Sequence, residues 1–219
     1  MARTLILVRH GKAQKPQLGL ADADRALVPG AAEALAATYR AAFALLRGME
    51  SAELWVSPAL RARQTAAQVS RALVGSGVKI GANRELPCLL EQDADTFHKL
   101  IEQSAEGTCI VAVGHIPFME DELVDLTGVD LSFAPGSAAA LRLEGAPGRA
   151  ASGAELLWFV RAQDRVASAR PPATQPTATR SPPRAGARTA LAPLPYRVRS
   201  PKPLAPRPHR ARSPKPLAP

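Results

Sequence analysis

Arg9 and His10 are adjacent, Arg61 begins the run Arg61-Ala62-Arg63-Gln64-Thr65, and His115 follows Gly114. Two guanidinium groups and two imidazoles, brought to one place, suit a bound phosphoryl group. Arginine offers a planar fork of donors that matches two phosphate oxygens and stays charged. A neutral imidazole nitrogen can attack phosphorus near pH 7. His10 is the expected nucleophile, its other ring nitrogen donating to a fixed acceptor such as a backbone carbonyl. Arg9 and Arg61 are expected to hold the phosphoryl oxygens and stabilise charge building on them. His115 is expected to donate to the same oxygens, best when protonated. Gly11 would let the backbone turn sharply and let a phosphate approach. Ser57 is either a further hydroxyl donor to the ligand or a helix N-cap.

The elements around these residues explain how they could meet. Leu5-Ile6-Leu7-Val8 runs into Arg9-His10-Gly11, Leu54-Trp55-Val56 into Ser57 and Arg61, and Ile110-Val111-Ala112-Val113 into Gly114-His115. Short apolar runs of this kind read as buried strands of a parallel sheet. Ligands in open α/β sheets bind just beyond the carboxyl ends of such strands. Strands are expected near 4–8, 53–56, 78–80 and 108–113. Helices are expected near 30–47, 58–74, 94–104 and 117–128. The stretches 138–143 and 155–162 alternate and should add an antiparallel edge, joined by a hairpin connection at Gly145-Ala146-Pro147-Gly148. Strands alternating with helices predict a three-layer α/β/α domain with a mainly parallel sheet.

Arg9-His10-Gly11, the stretch Ser57-Pro58-Ala59-Leu60-Arg61-Ala62-Arg63-Gln64-Thr65-Ala66, and Gly114-His115 resemble, in this order and at strand ends, the motifs of the histidine phosphatase superfamily. The form of the middle motif and the small domain are similar to the SixA type, the phosphohistidine phosphatases. The resemblance spans about residues 3–165. It implies a phosphoglycerate-mutase-like fold and a phosphatase working through a phosphohistidine intermediate, its substrate a protein that carries phosphohistidine. The general acid is open among Glu85, Glu91, Asp22 and Asp24. Glu85-Leu86-Pro87 resembles the Glu-Leu-x-Pro stretch of SixA-type proteins, where no clear acid is expected; Glu85 is kept as the possible acid. A phosphohistidine substrate relaxes the demand, because imidazole leaves far more readily than an alkoxide. The alternative within enzymes is a broad phosphomonoesterase of small metabolites. No metal-ligand spacing is visible, and neither metal nor cofactor is expected.

Composition divides the chain in two. Residues 170–219 hold 11 Lys+Arg, no Asp or Glu, and 14 of the 21 prolines, leaving 17 Lys+Arg against 19 Asp+Glu before them. The overall charge of +9 is thus a property of the tail. Residues 1–169 are expected to form one domain and 170–219 a disordered, polyproline-like extension. The octapeptide Arg-Ser-Pro-Lys-Pro-Leu-Ala-Pro occurs twice in it, at 199–206 and 212–219. Its single aromatic, Tyr196, leaves little for base stacking, so weak non-specific binding of anions is the most the tail supports. That is the reading from a different class: a nucleic-acid or anionic-surface binder. Cys88 and Cys109 are expected as reduced core thiols. Met1-Ala2-Arg3-Thr4 leads into an apolar run too short for a signal peptide, and no stretch reaches membrane-spanning length, so a cytoplasmic location without membrane insertion is expected. His98 and His209 carry no assigned role, and the oligomeric state is not legible.

Overall fold

Leu5, Ile6, Leu7 and Val8 are all fully buried, since strand β1 (Arg3–Arg9) is covered on both faces. In the computed structural model, which describes residues 2–144 and 154–162, β1 lies in a six-stranded sheet of order β3-β2-β4-β1-β5-β6. The other strands are β2 (Ser51–Val56), β3 (Lys79–Glu85), β4 (Cys109–Gly114), β5 (Ala138–Leu143) and β6 (Glu155–Val160). β1 to β4 run parallel, and β5 and β6 add an antiparallel edge. The predicted mainly parallel sheet with an antiparallel edge is the sheet observed.

Successive side chains of a strand face opposite ways, so the apolar runs supply two cores. Ile6, Val8, Leu54, Val56, Val111 and Val113 pack beneath α1 (Ala31–Ala42) and α2 (Leu60–Gly75). Leu5, Leu7, Trp55, Ile110 and Ala112 pack against α4 (Ala94–Gln103) and α5 (Phe118–Thr127), with the single turn α3 (Cys88–Glu91) beside them. This is the expected three-layer arrangement.

Three boundaries differ from the expectation. The first helix stops at Ala42 and tightens into a 3₁₀ turn over Phe43–Leu46. β3 extends to Glu85 although its sequence, Lys-Ile-Gly-Ala-Asn-Arg-Glu, is polar and carries no clear alternation. Pairing with β2, not propensity, makes it a strand, with a register shift at Ala52/Glu53. α3 is too short to leave a periodic signal. Cys88 and Cys109 are free and buried. The tail from Arg170, with its octapeptides and His209, and the Gly145–Gly148 connection lie outside the described residues. No helix among the described residues is long and apolar enough to cross a membrane.

Candidate active site

β1 and β4 are neighbours in register, Arg9 opposite Gly114, and β2 pairs with the other edge of β4. Their carboxyl ends therefore open side by side. The His10 N–H donates to the Gly114 carbonyl at 3.0 Å, and the Ser57 N–H donates to that of Val113, also at 3.0 Å. These bonds continue the ladder past the strands, so Arg9, His10, Ser57 and His115 start from a rigid backbone. A crevice of about 510 Å³ lies here, its lining including Arg9, His10, Gly11, Arg61 and His115.

The His10 Nδ1 sits 2.7 Å from the carbonyl oxygen of Gly11. A carbonyl only accepts, so Nδ1 carries the proton and Nε2 keeps its lone pair, which is the nucleophilic tautomer. Burial lowers the His10 pKa to about 3, His115 and the guanidinium groups of Arg61 and Arg9 adding to the effect. The ring is neutral throughout the physiological range.

His115 departs from the expectation. Its Nδ1 lies 3.4 Å from Arg61 Nη2, which can only donate, and its Nε2 lies 2.7 Å from Ser57 Oγ. The ring is thus a neutral Nε2–H tautomer giving its proton to Ser57. Burial lowers its pKa to about 4, and the Arg61 charge pushes the same way. His115 in this setting is not a cation. The two rings stand 5.0 Å apart, centroid to centroid.

Ser57 is neither of the two things expected. It is fully buried and does not line the crevice. Nor does it cap α2, whose N-cap is Ala59 with no side-chain cap bond. It holds the imidazole of His115. Gly11 lines the crevice, and a Cβ there would meet Leu35 Cδ1 at 2.7 Å and Leu27 Cδ2 at 3.2 Å, so those two side-chain ends would have to shift to admit one. Its N–H already donates to Thr65 Oγ1 at 2.9 Å, and Thr65 in turn donates to the Arg61 carbonyl at 2.7 Å. That pair ties the β1 exit loop to the first turn of α2.

The structure does not bring Glu85 to the crevice. It ends β3, is exposed, and lies 3.7 Å from Arg63 Nη1. Glu91 and Asp24 are not among the lining residues either. Asp22 is, but as a paired anion. Desolvation alone would raise its pKa; hydrogen bonds from Arg25 and Arg61 outweigh it and hold the carboxyl below its usual range.

Lys12, Arg25 and Gln92 also line the crevice and carried no motif. The weak sequence signal was the loop 12–30, rich in turn residues. Arg25 reaches the crevice because the loop doubles back. Val28 N–H donates to the Lys12 carbonyl and Gln14 N–H to that of Ala26, while Leu27 N–H donates to Gln64 Oε1. On the far side, Gly136, in the left-handed region at φ 85°, donates its N–H to the carbonyls of Arg9 and His10. Pro135-Gly136 was legible only as a turn. Among the described residues no group of three His, Cys, Asp or Glu could hold a metal ion.

The two depressed imidazoles give a testable pH dependence. In a histidine-ring NMR titration of the unliganded protein, His10 and His115 are expected to stay neutral from pH 8 down to about 5. A midpoint near 6.5 for either ring would contradict the burial that sets these values. Unfolding frees both rings to bind protons the folded state refuses, so they make the fold less stable as pH falls below about 6.5 towards their folded values.

No family model matches the sequence, and no curated protein matches it. Solved structures do. A protein assigned as the phosphohistidine phosphatase SixA of Nakamurella multipartitia is 27% identical, with a TM-score of 0.56 over 74% of this chain and 97% of that one. Another, assigned in the same way, from Agrobacterium tumefaciens, is 23% identical, with a TM-score of 0.56 over 72% of this chain and 96% of that one. The protein histidine phosphatase SixA complexed with tungstate is 21% identical, with a TM-score of 0.53 over 72% and 96%. The chain shares the α/β fold of these SixA structures, a mainly parallel sheet flanked by helices.

Proposed function

We propose that the protein is a phosphatase that removes the phosphoryl group from phosphohistidine on another protein, through a covalent intermediate on His10. The observation that carries the substrate class is the lack, among the described residues, of a protonated carboxyl group in the crevice lining. Asp22 is the carboxylate there, and two arginines keep it ionised. An alkoxide leaving group needs a strong proton donor; an imidazole, with a reference pKa of about 6.5, does not. The SixA structures named above support the same reading, and tungstate is a tetrahedral oxyanion like the phosphoryl group.

The chemistry balances simply. The Nε2 lone pair of His10 forms a bond to phosphorus as the P–N bond to the substrate imidazole breaks. The electron pair leaves with that imidazole, whose other ring nitrogen carries a proton, so the leaving group departs as neutral imidazole and needs no proton from the enzyme. Arg9 and Arg61 stabilise the charge on the equatorial oxygens, and the Gly11 carbonyl holds His10 in the attacking tautomer. A water molecule then attacks phosphorus, loses a proton, and displaces His10 Nε2, releasing inorganic phosphate.

The test compares substrates on the full chain. We expect kcat/KM for a phosphohistidine protein to exceed that for a sugar phosphate by about tenfold or more, equivalent to about 1.4 kcal/mol. An aryl phosphate, with its better leaving group, should fall between them. Equal or higher efficiency on the sugar phosphate would turn the assignment to a metabolite phosphomonoesterase. Glu85→Gln should leave all three rates unchanged, since Glu85 sits outside the crevice.

A further inference from the structure

Asp22 and Arg61 are in closer contact than a phosphoryl site can tolerate when filled. Arg61 Nη2 donates to Asp22 Oδ2 at 2.8 Å, and Nη1 donates to the Asp22 main-chain carbonyl. Both terminal nitrogens of the guanidinium are engaged. The remaining one, Nε, is buried and has no hydrogen-bond partner among the described residues. The Arg61 side chain is 6% exposed and that of Asp22 63%, so the carboxylate sits on the solvent side of the guanidinium. The other carboxylate oxygen, Oδ1, lies 2.8 Å from Arg25 Nε and 2.6 Å from its Nη2. One carboxylate thus bridges two of the cations that line the crevice.

A phosphoryl oxygen approaching Arg61 from the crevice meets an edge already taken by an anion. Two anions cannot share that edge, because like charges at contact distance in a partly buried site repel strongly. Something has to move, and Asp22 is the part built to do so. It lies in a 3₁₀ turn, Asp22–Asp24, that buries no residue. The base of its loop is pinned by the Lys12–Val28 and Gln14–Ala26 bonds and by Gln64. The turn can therefore leave Arg61 without unpacking the core.

We infer that Asp22 is an internal competitor for the phosphoryl cradle: its carboxylate holds the Arg61–Arg25 pair, a ligand must displace it, and only an anion that binds the pair more strongly than this carboxylate takes its place. A ligand carboxylate would replace Asp22 like for like and gain little. A phosphoryl dianion brings more charge and a further oxygen that can turn towards Arg9. Asp22 in this sense sets the affinity a ligand of the cradle must exceed and is not a proton donor.

The inference rests on the reading of the crevice as a phosphoryl site, and the experiment separates the two. Binding of inorganic phosphate and of acetate to the full chain is measured by calorimetry, with Arg61→Ala as the baseline for phosphate held by the basic tail. Asp22→Asn is expected to bind phosphate about tenfold more tightly than the parent and to bind acetate measurably, since the competing anion is gone. Asp24→Asn removes the same charge from the same turn without touching Arg61, and should change phosphate affinity by less than about twofold. Unchanged or weaker phosphate binding in Asp22→Asn would show that Asp22 merely positions Arg61. An equal gain in Asp24→Asn would show a long-range charge effect. Either result overturns the inference alone. If no form binds phosphate above the Arg61→Ala baseline, the phosphoryl reading itself falls. Because Asp22 is exposed in a short turn, the thermal midpoint of Asp22→Asn is expected to stay close to that of the parent, which checks that the variant is folded.

Discussion

His10→Ala is expected to lose turnover by about 10⁴-fold or more, as follows when the nucleophile of a covalent mechanism is removed. The loss should fall on kcat. Arg9 and Arg61 remain to bind the phosphoryl group, so affinity for inorganic phosphate should change little. The fold should also persist. The backbone N–H of His10 keeps its bond to the Gly114 carbonyl, and the only hydrogen bond its side chain makes within the described residues is to the Gly11 carbonyl. Rapid quench with labelled substrate gives the direct readout. The parent protein should carry acid-labile, base-stable label on the peptide containing His10, and His10→Ala should carry none. Near-parental turnover in the variant would show that phosphorus is attacked by another group, or by water directly.

Arg61→Ala should lower kcat/KM by about 100-fold or more, the usual consequence of losing one preorganised donor to a developing charge. Arg61→Lys should recover little of it, because an ammonium cannot present a planar fork to two oxygens. Stability should change far less. Asp22 keeps Arg25 as a partner, and removing a guanidinium whose Nε is buried without an acceptor offsets part of the packing lost. A second readout does not depend on catalysis. Arg61 donates to His115 Nδ1 and its charge lowers the His115 pKa, so in Arg61→Ala the His115 ring should titrate at a higher pH than in the parent. Unaltered kinetics in a stable variant would remove Arg61 from the site; an unmoved His115 titration would contradict the contact.

How much of this was open to the sequence depended on range. β1, β2 and β4 were legible because each is a run of consecutive apolar residues with both faces buried, a signal contained in the run itself. The residues after each run followed at once, so Arg9, His10 and His115 were placed by the same reasoning. β3 was under-read because its residues are polar and only the neighbouring β2 makes them a strand. α3 left no trace because four residues hold no period.

The site divides along the same line. The sequence by itself determined which residue types stand at three strand ends, and with them the phosphoryl chemistry. The tautomer of His10 needed only Gly11, its immediate neighbour, although the geometry had to show it. Tertiary structure alone decided the rest. It put Glu85 outside the crevice beside Arg63, turned Ser57 from a ligand donor into a buried partner of His115, and set Leu35 close against Gly11. It also laid Asp22 on Arg61, 39 residues away in the chain. Local runs encode strands because burial is repeated at successive residues. A carboxylate in an exposed turn has no such pattern, and its partner is set only when the loop folds back over the sheet.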